Sequence, residues 1–542
     1  MFLALFVCAP LGQALAQTGV GPLDDATPIP RGWVRFGVLN SWTRFDSRFN
    51  GSGGTDPLGL PLSTDSLGPR QLPQLAPVEG ALQTLTNNPL QRLTFGKLAV
   101  QSDARVVTTP FVLEFGATSR LTIGVTVPVV QTRQTAQARV NARAAGDTTK
   151  TSNMGWIPAS LRSSVAQKNA SVVASLTAAA SGLKGLLTRC AANPGAAECS
   201  TIQGQEAAAA AAAARAIQFA TAVATAYGIN ENTALVAPLQ GSQLAASIEA
   251  QRAALAAQLA SFVPGTQIGT LSTAATEFSY VDFQGRTRTP GLLQSPLGGG
   301  IDSIHTTDRL GVGDIEIGVR YALLDHISRD SVGPAGFQYR LVLGGVYRLA
   351  TSRPDSARDL LDIGTGEGGG IEGRGSLELI GNSVGLTLAG RYAKYFARTV
   401  DASLIGYPIA GFPYPVFGQV SRKAGDVFGI AAAPRVYFNS WMSFEGDYEM
   451  ERVGAPTFEP IGSAAQCSGC VPPEGAVLPS ATTVQRLGVG LRYSTVLSYF
   501  RHRARYPIEL SYHHLETVSG DDGAPKVFRD IIQLRLYYRI LR

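Results

Sequence analysis

Strict alternation of apolar and polar side chains is the main pattern of this chain. In residues 528–540, Leu534 and Leu536 alternate with Gln533 and Arg535. The same period of two recurs in residues 442–451, 486–494 and 508–514. A period of two is typical of a β-strand whose two faces meet different surroundings. The pattern therefore predicts strands with one apolar and one polar face.

Twelve segments of this kind follow one another, most of them longer than the ~5–6 residues of an average strand. They are residues 32–46, 100–117, 120–133, 308–325, 337–351, 370–381, 383–397, 424–438, 441–453, 483–495, 505–518 and 526–540. Short turns alternate with long loops between them, which is the layout of an outer-membrane barrel. An even number of strands returns both termini to the short-turn side, the periplasm.

Closure into a barrel gives every backbone N–H and C=O a partner, as hydrocarbon surroundings require. We therefore predict an all-β transmembrane barrel of about 12 antiparallel strands, with an α-helical insertion in an extracellular loop. Aromatic residues near the short-turn ends would form a girdle at the membrane surface. They are Trp33, Tyr321, Tyr339, Phe438, Trp441, Tyr493, Tyr506 and Tyr538. A soluble β-sandwich is the structural alternative.

Residues 134–307 interrupt the strand pattern with three predicted helices. These lie at about residues 159–189, 203–227 and 242–262, where apolar residues recur at helical spacings. The predicted organisation is a signal peptide at 1–16, barrel strands 1–3 within 17–133, the Ala-rich helical insertion at 134–307, and strands 4–12 within 308–542. We interpret the insertion as a loop decoration; a partly disordered low-complexity segment is the alternative.

The apolar N-terminus ends in the small-x-small sequence ALA at residues 14–16, which predicts export through a secretory signal. Four cysteines follow in two close pairs, and an oxidising compartment favours local disulfides. The disulfide candidates are Cys190 with Cys199 and Cys467 with Cys470. The second pair would also suit a redox or half-zinc motif, although no second CxxC and no His cluster accompanies it.

Composition narrows the class of protein. Of the 542 residues 16% are charged, against roughly 25% in soluble proteins, and 60 are glycine. After the N-terminus we find no strongly apolar run of 18 residues, which disfavours a multi-span helical membrane protein. A hydrophobic content of 45% disfavours a disordered chain. The net charge of +6 is spread along the chain, so no nucleic-acid partner is expected.

In the predicted register, charged side chains of the strands face a watery lumen. The candidates for lining it are Arg320, Arg348, Arg391, Arg435, Glu445, Asp447, Glu449, Arg486, Arg492, Glu509 and Arg535. Such a lining orients polar or charged solutes, or its salt bridges fill the interior and keep the barrel folded. Twelve strands lie between the ~8 of a filled barrel and the ~16–18 of an open channel, so we expect a narrow or partly plugged pore.

No catalytic, cofactor-binding or metal site is predicted. Ser511, His513 and His514 come nearest to a hydrolase site, with His513 placed inward and His514 toward lipid, but no orienting residue is apparent. Asp302, His305 and Asp308 are a weak indication of a protease site at the extracellular rim of the barrel. The Gly-rich run at residues 364–370 lacks the Gly-Lys-Ser/Thr of a phosphate loop, and we interpret it as a flexible loop.

Two stretches are similar to a known family. They are residues 111–128, FVLEFGATSRLTIGVTVP, and residues 311–321, GVGDIEIGVRY, the latter followed by residues 341–349 and the Gly364-Thr-Gly366 loop. Both resemble the outer-membrane β-barrels named for the meta-pathway of phenol degradation. The resemblance covers residues 32–46, 100–133 and 308–397. Two features depart from the family pattern, namely the helical insertion and the lack of a terminal aromatic residue, for which we expect Tyr538 to substitute.

The resemblance implies a channel in the bacterial outer membrane. Members of the family are proposed transporters of small, often aromatic, compounds. The partners that it implies are outer-membrane lipid, a small-molecule solute and the barrel-assembly machinery. We therefore predict a passive channel or transporter for small solutes, aromatic or hydrophobic ones among them, with no cofactor and no enzymatic activity. The alternatives are a non-transporting surface protein that binds through the helical insertion and a membrane-embedded hydrolase.

Overall fold

The computed structural model describes residues 26–142, 151–286, 289–298, 302, 304–327, 337–354, 362–405, 415–462 and 481–541. The predicted signal peptide and the pair Cys467 and Cys470 lie outside the described residues.

Twelve long strands dominate the fold. In chain order they are β1 (Trp33–Phe49), β2 (Leu98–Gly116), β3 (Leu121–Val140), β4 in two segments (Thr307–Val312 and Ile315–Asp325), β5 (Gln338–Leu349), β6 (Gly370–Ile380), β7 (Val384–Tyr395), β8 (Val427–Tyr437), β9 (Met442–Val453), β10 (Thr482–Ser494), β11 (Ile508–Gly520) and β12 (Pro525–Arg539). Each strand pairs antiparallel with the strands before and after it. The observed bounds lie within three residues of the predicted ones, except that β3 continues to Val140.

The last strand closes the sheet on the first. The pairing of β1 with β12 runs from Trp33 opposite Arg539 to Arg48 opposite Pro525. Closure leaves the barrel without an open edge, so its backbone groups are paired inside the wall. The predicted barrel is thereby confirmed, and the soluble sandwich is wrong.

Alternation along each strand gives the barrel an apolar outside and a polar inside. On β12, Ile532, Leu534 and Leu536 are exposed, whereas Gln533 and Arg535 are buried. Exposed aromatic rings lie at the short-turn ends, as predicted for a girdle. These are Tyr321, Tyr339, Phe438, Trp441, Tyr493, Tyr506 and Tyr538. A closed barrel with such an outer surface is suited to the outer membrane, where the protein resides.

In the described part of the chain, six α-helices accompany the barrel. They are α1 (Ala76–Thr86), α2 (Ala159–Ala192), α3 (Glu206–Tyr227), α4 (Gln243–Phe262), α5 (Tyr280–Gln284) and α6 (Val496–Phe500). The helices α2, α3 and α4 match the predicted ones, whereas α1 lies in the first long loop, where no helix was predicted. By length and composition α2 and α3 could each cross a membrane, so the prediction that no such apolar run exists is wrong for these two alanine-rich segments.

The helices α1 to α5 share one hydrophobic core at the long-loop end of the barrel. Leu82 of α1, Leu176 of α2, Val223 of α3 and Leu255 of α4 all belong to it and are completely or almost completely buried. Leu98 at the start of β2 joins the same cluster. These helices and their shared core are called here the helical cap. The cap is built from two long loops and packs on the start of β2 in the barrel wall.

A disulfide closes the turn between α2 and α3. It joins Cys190 to Cys199, one of the two predicted pairs. Beside it the Arg189 guanidinium donates hydrogen bonds of 2.9 and 3.2 Å to the two carboxylate oxygens of Glu198. That hydrogen bonding lowers the pKa of Glu198. The turn is thus fixed covalently where the chain reverses between two long helices.

Short strands complete the fold at the long-loop side. Arg398–Ile405, Pro415–Lys423 and Thr457–Pro460 form a separate three-stranded sheet, and Met154–Trp156 pairs with Val236–Pro238. Thr55–Pro57 pairs with the end of β1. None of these short strands was predicted from the sequence.

Candidate functional site

The barrel interior is a network of arginines and carboxylates. All of the predicted lining residues occupy inward-facing positions. Those that are buried are Arg348, Arg391, Arg435, Glu445, Asp447, Glu449, Arg486, Glu509 and Arg535, and those that are half-buried are Arg320 and Arg492. A polar interior is the usual lining of an outer-membrane barrel.

One chain of ion pairs runs across the inner wall from β6 to β12 towards the short-turn end. Arg435 contacts Glu378 at 3.4 Å and Glu445 at 2.6 Å. Glu509 lies between Arg492 and Arg535, with a nitrogen–oxygen distance of 2.7 Å to each. Each carboxylate is shared by two guanidinium groups, an arrangement that offsets the cost of removing these charges from water.

A second chain lies nearer the long loops and centres on Arg348. Its Nε lies 2.8 Å from Glu316, and its Nη2 lies 2.5 Å from Glu372. Arg348 also donates a hydrogen bond of 3.1 Å to the Tyr395 hydroxyl. Glu372 further pairs with Arg374 and with Arg391. Glu372 was missed among the predicted lumen residues, although it shares the parity of Arg374 and Glu378 on β6.

Asp447 differs from the carboxylates described above, because its partner is a histidine and not an arginine. The His513 Nδ1 lies 2.8 Å from Asp447 Oδ2, and both side chains are buried. Glu445, Asp447 and His513 bring three ligand atoms within 4.8 Å of one another. Glu445 is held by Arg435 at 2.6 Å, and this positive charge works against a metal ion at the same place.

The groups considered for hydrolysis do not form a hydrolytic site. Ser511 is buried on the same face of β11 as His513, but its Oγ has no hydrogen-bond partner among the described residues. A nucleophile needs hydrogen-bond contact with its base. His514 lies on the outer face and contacts Asp530 at 2.8 Å. Asp302, His305 and Asp308, the residues considered for a protease site at the rim, are exposed. They are not part of a cluster of potential metal ligands among the described residues.

At the long-loop end, residues 362–368, called here the inner loop, fold into the barrel. Ile363 packs with Phe45, Leu58, Ala104 and Val527, and these side chains are buried. Thr132 on β3 donates a hydrogen bond of 3.1 Å to the carbonyl oxygen of Ile363. The interpretation of the glycine-rich run at residues 364–370 as a flexible loop is therefore wrong, because burial and hydrogen bonds hold it inside the barrel.

Asp314 anchors the inner loop where β4 is interrupted. Its carboxylate accepts hydrogen bonds from the backbone N–H of Ser352 at 3.1 Å and of Gly368 at 2.8 Å. A Cβ at Gly366 would lie 2.5 Å from Asp314 Oδ2, so only glycine fits this close approach. Asp314, which lies at the break in β4, thus supplies the carboxylate that holds the inner loop in place.

At the short-turn end, the N-terminal segment, residues 26–32, enters the barrel before β1 begins. Ala26 packs with the inward-facing side chains of Ala322 and Val342. The Ile29 N–H donates a hydrogen bond of 3.3 Å to Thr122 Oγ1 on β3. Sequence reasoning missed both this segment and the inner loop, because each is held by residues far away in the chain.

A cavity of about 140 Å³ lies in the lumen between these two obstructions. On β3, Thr122, Gly124 and Thr126 line it, between the contacts of Thr122 with Ile29 and of Thr132 with Ile363. Its charged lining residues are Arg35, Glu114, Glu316, Arg320, Arg374 and Arg535. Arg35 contacts Glu114 at 2.5 Å, and Arg320 contacts the other carboxylate oxygen. The cavity is large enough for a small solute.

Comparison with known proteins finds likeness in structure alone. No family model matches the chain, and no curated protein sequence matches it. An outer membrane channel from Pseudomonas putida F1 covers 95% of this chain and 98% of its own length, at 9% identity and a TM-score of 0.40. The toluene transporter TodX of Pseudomonas putida covers 94% of this chain and 90% of its own, at 11% identity and a TM-score of 0.25. A FadL homologue of Pseudomonas aeruginosa covers 94% and 91%, at 8% identity and a TM-score of 0.26.

Proposed function

We propose that this barrel is a passive conduit for small organic solutes, aromatic and hydrophobic ones among them, across the outer membrane. The observation that carries the proposal is the lumen cavity, which lies inside a closed membrane-spanning wall between two narrow regions. Such a layout suits slow passage of single small molecules rather than free flow of water and salts.

The proposal includes membership of the meta-pathway barrel family. The two stretches that resemble it, residues 111–128 and 311–321, supply much of the cavity lining. Val112 and Glu114 come from the first stretch, and Gly318 and Arg320 come from the second. The proposal needs no cofactor and no enzymatic step. Its partners are the solute, outer-membrane lipid and the barrel-assembly machinery.

Planar lipid bilayers test the proposal directly. The purified full-length protein, inserted in its folded form, is expected to give small, stable unitary conductance steps. The control is the same preparation after boiling, and folding is checked by heat-modifiable migration on a gel. A folded barrel that gives no conductance and no solute flux into liposomes would contradict passive transport and favour a surface-binding role of the helical cap.

A further inference from the structure

A cavity of about 120 Å³, called here the short-turn cavity, lies at the short-turn end of the lumen. Thr27 and Pro28 of the N-terminal segment line one part of it, and Leu497 and Phe500 of α6 line another. The short-turn cavity shares no lining residue with the lumen cavity described above. A solute bound in one of the two cavities therefore does not occupy the other.

The charges that line the short-turn cavity are already balanced. Each of its three arginines contacts two carboxylates, at nitrogen–oxygen distances between 2.6 and 4.0 Å. The pairs are Arg340 with Asp325 and Glu378, Arg435 with Glu378 and Glu445, and Arg492 with Glu445 and Glu509. Together with Arg535, which shares Glu509, four guanidinium groups and four carboxylates alternate in one chain. The cavity thus offers no surplus charge to an ionic ligand.

One polar atom of this chain is left over. Arg435 contacts Glu445 through Nε, and it contacts Glu378 and the Tyr437 hydroxyl through Nη1. Its Nη2 is buried and has no hydrogen-bond partner among the described residues. A buried N–H group without a partner costs free energy. Because Arg435 lines the short-turn cavity, an oxygen atom of a ligand bound there can accept this hydrogen bond.

Aromatic and aliphatic side chains supply much of the remaining wall. Trp441, Leu497 and Phe500 lie on one part of it, and Ile327 and Ile380 lie on another. Such a wall offers edge-to-face and stacking contacts to an aromatic ring. An apolar cavity of about 150 Å³ takes up benzene. The short-turn cavity, with about 120 Å³ and a partly open mouth, therefore has room for a single ring.

We propose that the short-turn cavity binds small neutral aromatic molecules that carry one hydrogen-bond-accepting oxygen, such as aryl ketones. The ring packs on α6 and Trp441, and the oxygen accepts a hydrogen bond from Arg435 Nη2. This inference rests on the proposed function and specifies a binding site and a solute class for it. A carboxylate on the ligand would be repelled by Glu378 and Glu509. A ring without an oxygen would leave Nη2 without a partner.

The first experiment compares acetophenone with benzoate, two single-ring probes of which only the second is charged. Binding to the full-length protein in detergent micelles is measured by isothermal titration calorimetry, with protein-free micelles as the blank. Acetophenone is expected to bind at least tenfold more tightly than benzoate, because the paired arginines leave no positive charge for an anion. Equal affinity, or a preference for benzoate, would overturn the inference.

The second experiment changes the wall of the cavity at α6. Phe500 and Tyr499 both make edge-to-face contacts with Trp33, at centroid distances of 5.5 and 5.7 Å, but only Phe500 lines the cavity. Phe500→Ala is expected to weaken acetophenone binding about tenfold, because a ring contact and buried apolar area are lost. Tyr499→Ala is the matched control and should leave binding unchanged. Equal effects of the two variants would overturn the inference.

The third experiment tests the hydrogen bond from Arg435. α-Methylstyrene has the shape of acetophenone and lacks its oxygen, and Arg435→Lys keeps the positive charge but removes Nη2. The ratio of the two affinities is expected to shift at least tenfold against acetophenone in Arg435→Lys, because a hydrogen bond to a charged group is lost. It should stay constant in the control Arg486→Lys, which replaces a buried arginine outside the cavity. A constant ratio in folded Arg435→Lys would overturn the inference, and if that variant does not fold, the comparison of Phe500→Ala with Tyr499→Ala decides.

Calorimetry and electrical recording separate this inference from the proposed function. Acetophenone binding that is weakened by Phe500→Ala, in a folded barrel without conductance or solute flux, would contradict passive transport and support the short-turn site. Conductance together with acetophenone binding that Phe500→Ala leaves unchanged would support passive transport and overturn the short-turn site.

Discussion

His513 on β11 reaches across the whole width of β10 to contact Asp447 on β9. Gly490 lies between them in the register, paired with Glu445 on one side and with His513 on the other. A Cβ at Gly490 would lie 2.3 Å from His513 Nδ1, so the imidazole rests directly on the glycine backbone. The absence of a side chain at one position of β10 thus permits a contact between strands that are not neighbours.

Substituting Gly490 with alanine should break this contact. The added methyl group displaces the imidazole and leaves a buried carboxylate without its partner, which costs about 1–3 kcal/mol. The free energy of unfolding, measured by urea titration in lipid vesicles, is expected to fall by that amount. The control is Gly446→Ala on β9, where the added Cβ meets its nearest atom, Pro434 Cγ, at an ordinary 3.6 Å. Equal stability of the two variants would contradict the role given to Gly490.

Removing the buried guanidinium of Arg348 should destabilise the barrel far more than removing an exposed one. It is 1% exposed and pairs with both Glu316 and Glu372. Arg348→Gln leaves these carboxylates close together with less positive charge, and breaking a buried ion pair in this way costs about 3–5 kcal/mol. Arg44→Gln, at an exposed pair with Asp530, should cost less than about 1 kcal/mol. Urea unfolding of both variants checks this ordering, and similar losses for the two would refute it.

The strands were predictable because alternation is a local signal. Lipid outside and charge inside impose the period of two on every strand, and this fixes both strand bounds and the parity of residues such as Arg435 and Glu509. The helices α2 and α4 were predictable for the same reason, from apolar residues at helical spacing.

The obstructions inside the lumen have no local signal. Ile363 obstructs the lumen only because it packs against Phe45 and Val527, which come from the two strands that close the barrel. The interruption of β4 at Asp314 is explained by Ser352 and Gly368, which lie about forty and fifty residues further along the chain. The lumen charges could therefore be predicted from the sequence, but the position of the cavity among them could not.

The helix α1 should prove to be part of the helical cap rather than of the barrel. Leu82 is completely buried in the same cluster as Leu255 of α4. Leu82→Ala is expected to destabilise the cap by about 2–5 kcal/mol, because it opens a cavity in a packed core. Limited proteolysis should then cleave α2 to α4 faster, while the heat-modifiable migration of the barrel stays unchanged. The control is Leu90→Ala, at an exposed position of the same loop; equally fast cleavage in that variant would contradict the assignment.

The disulfide should stabilise the cap locally. Cys190 and Cys199 close a loop with a sequence separation of 9, for which the chain-entropy account gives about 2–3 kcal/mol. Reduction, or the double substitution Cys190→Ser with Cys199→Ser, is expected to speed proteolysis between α2 and α3. Unitary conductance should stay the same, because the turn lies in the helical cap and not in the lumen. A change in conductance on reduction would show that the cap is coupled to the lumen.

Release of the inner loop should widen the conduit. A Cβ at Gly366 would lie 2.5 Å from Asp314 Oδ2 and 2.8 Å from Ser352 Cβ, so Gly366→Val cannot keep the loop on its anchor. Because the loop fills the lumen beside Ile363, its displacement is expected to raise unitary conductance at least twofold in planar bilayers. Gly373→Val is the control, since nothing lies within 4 Å of a Cβ added there. The barrel itself should fold equally well in both variants, because the wall is closed by the pairing of β1 with β12 and not by the inner loop. A folded Gly366→Val barrel with the conductance of the unmodified protein would mean that solutes pass elsewhere than beneath the inner loop.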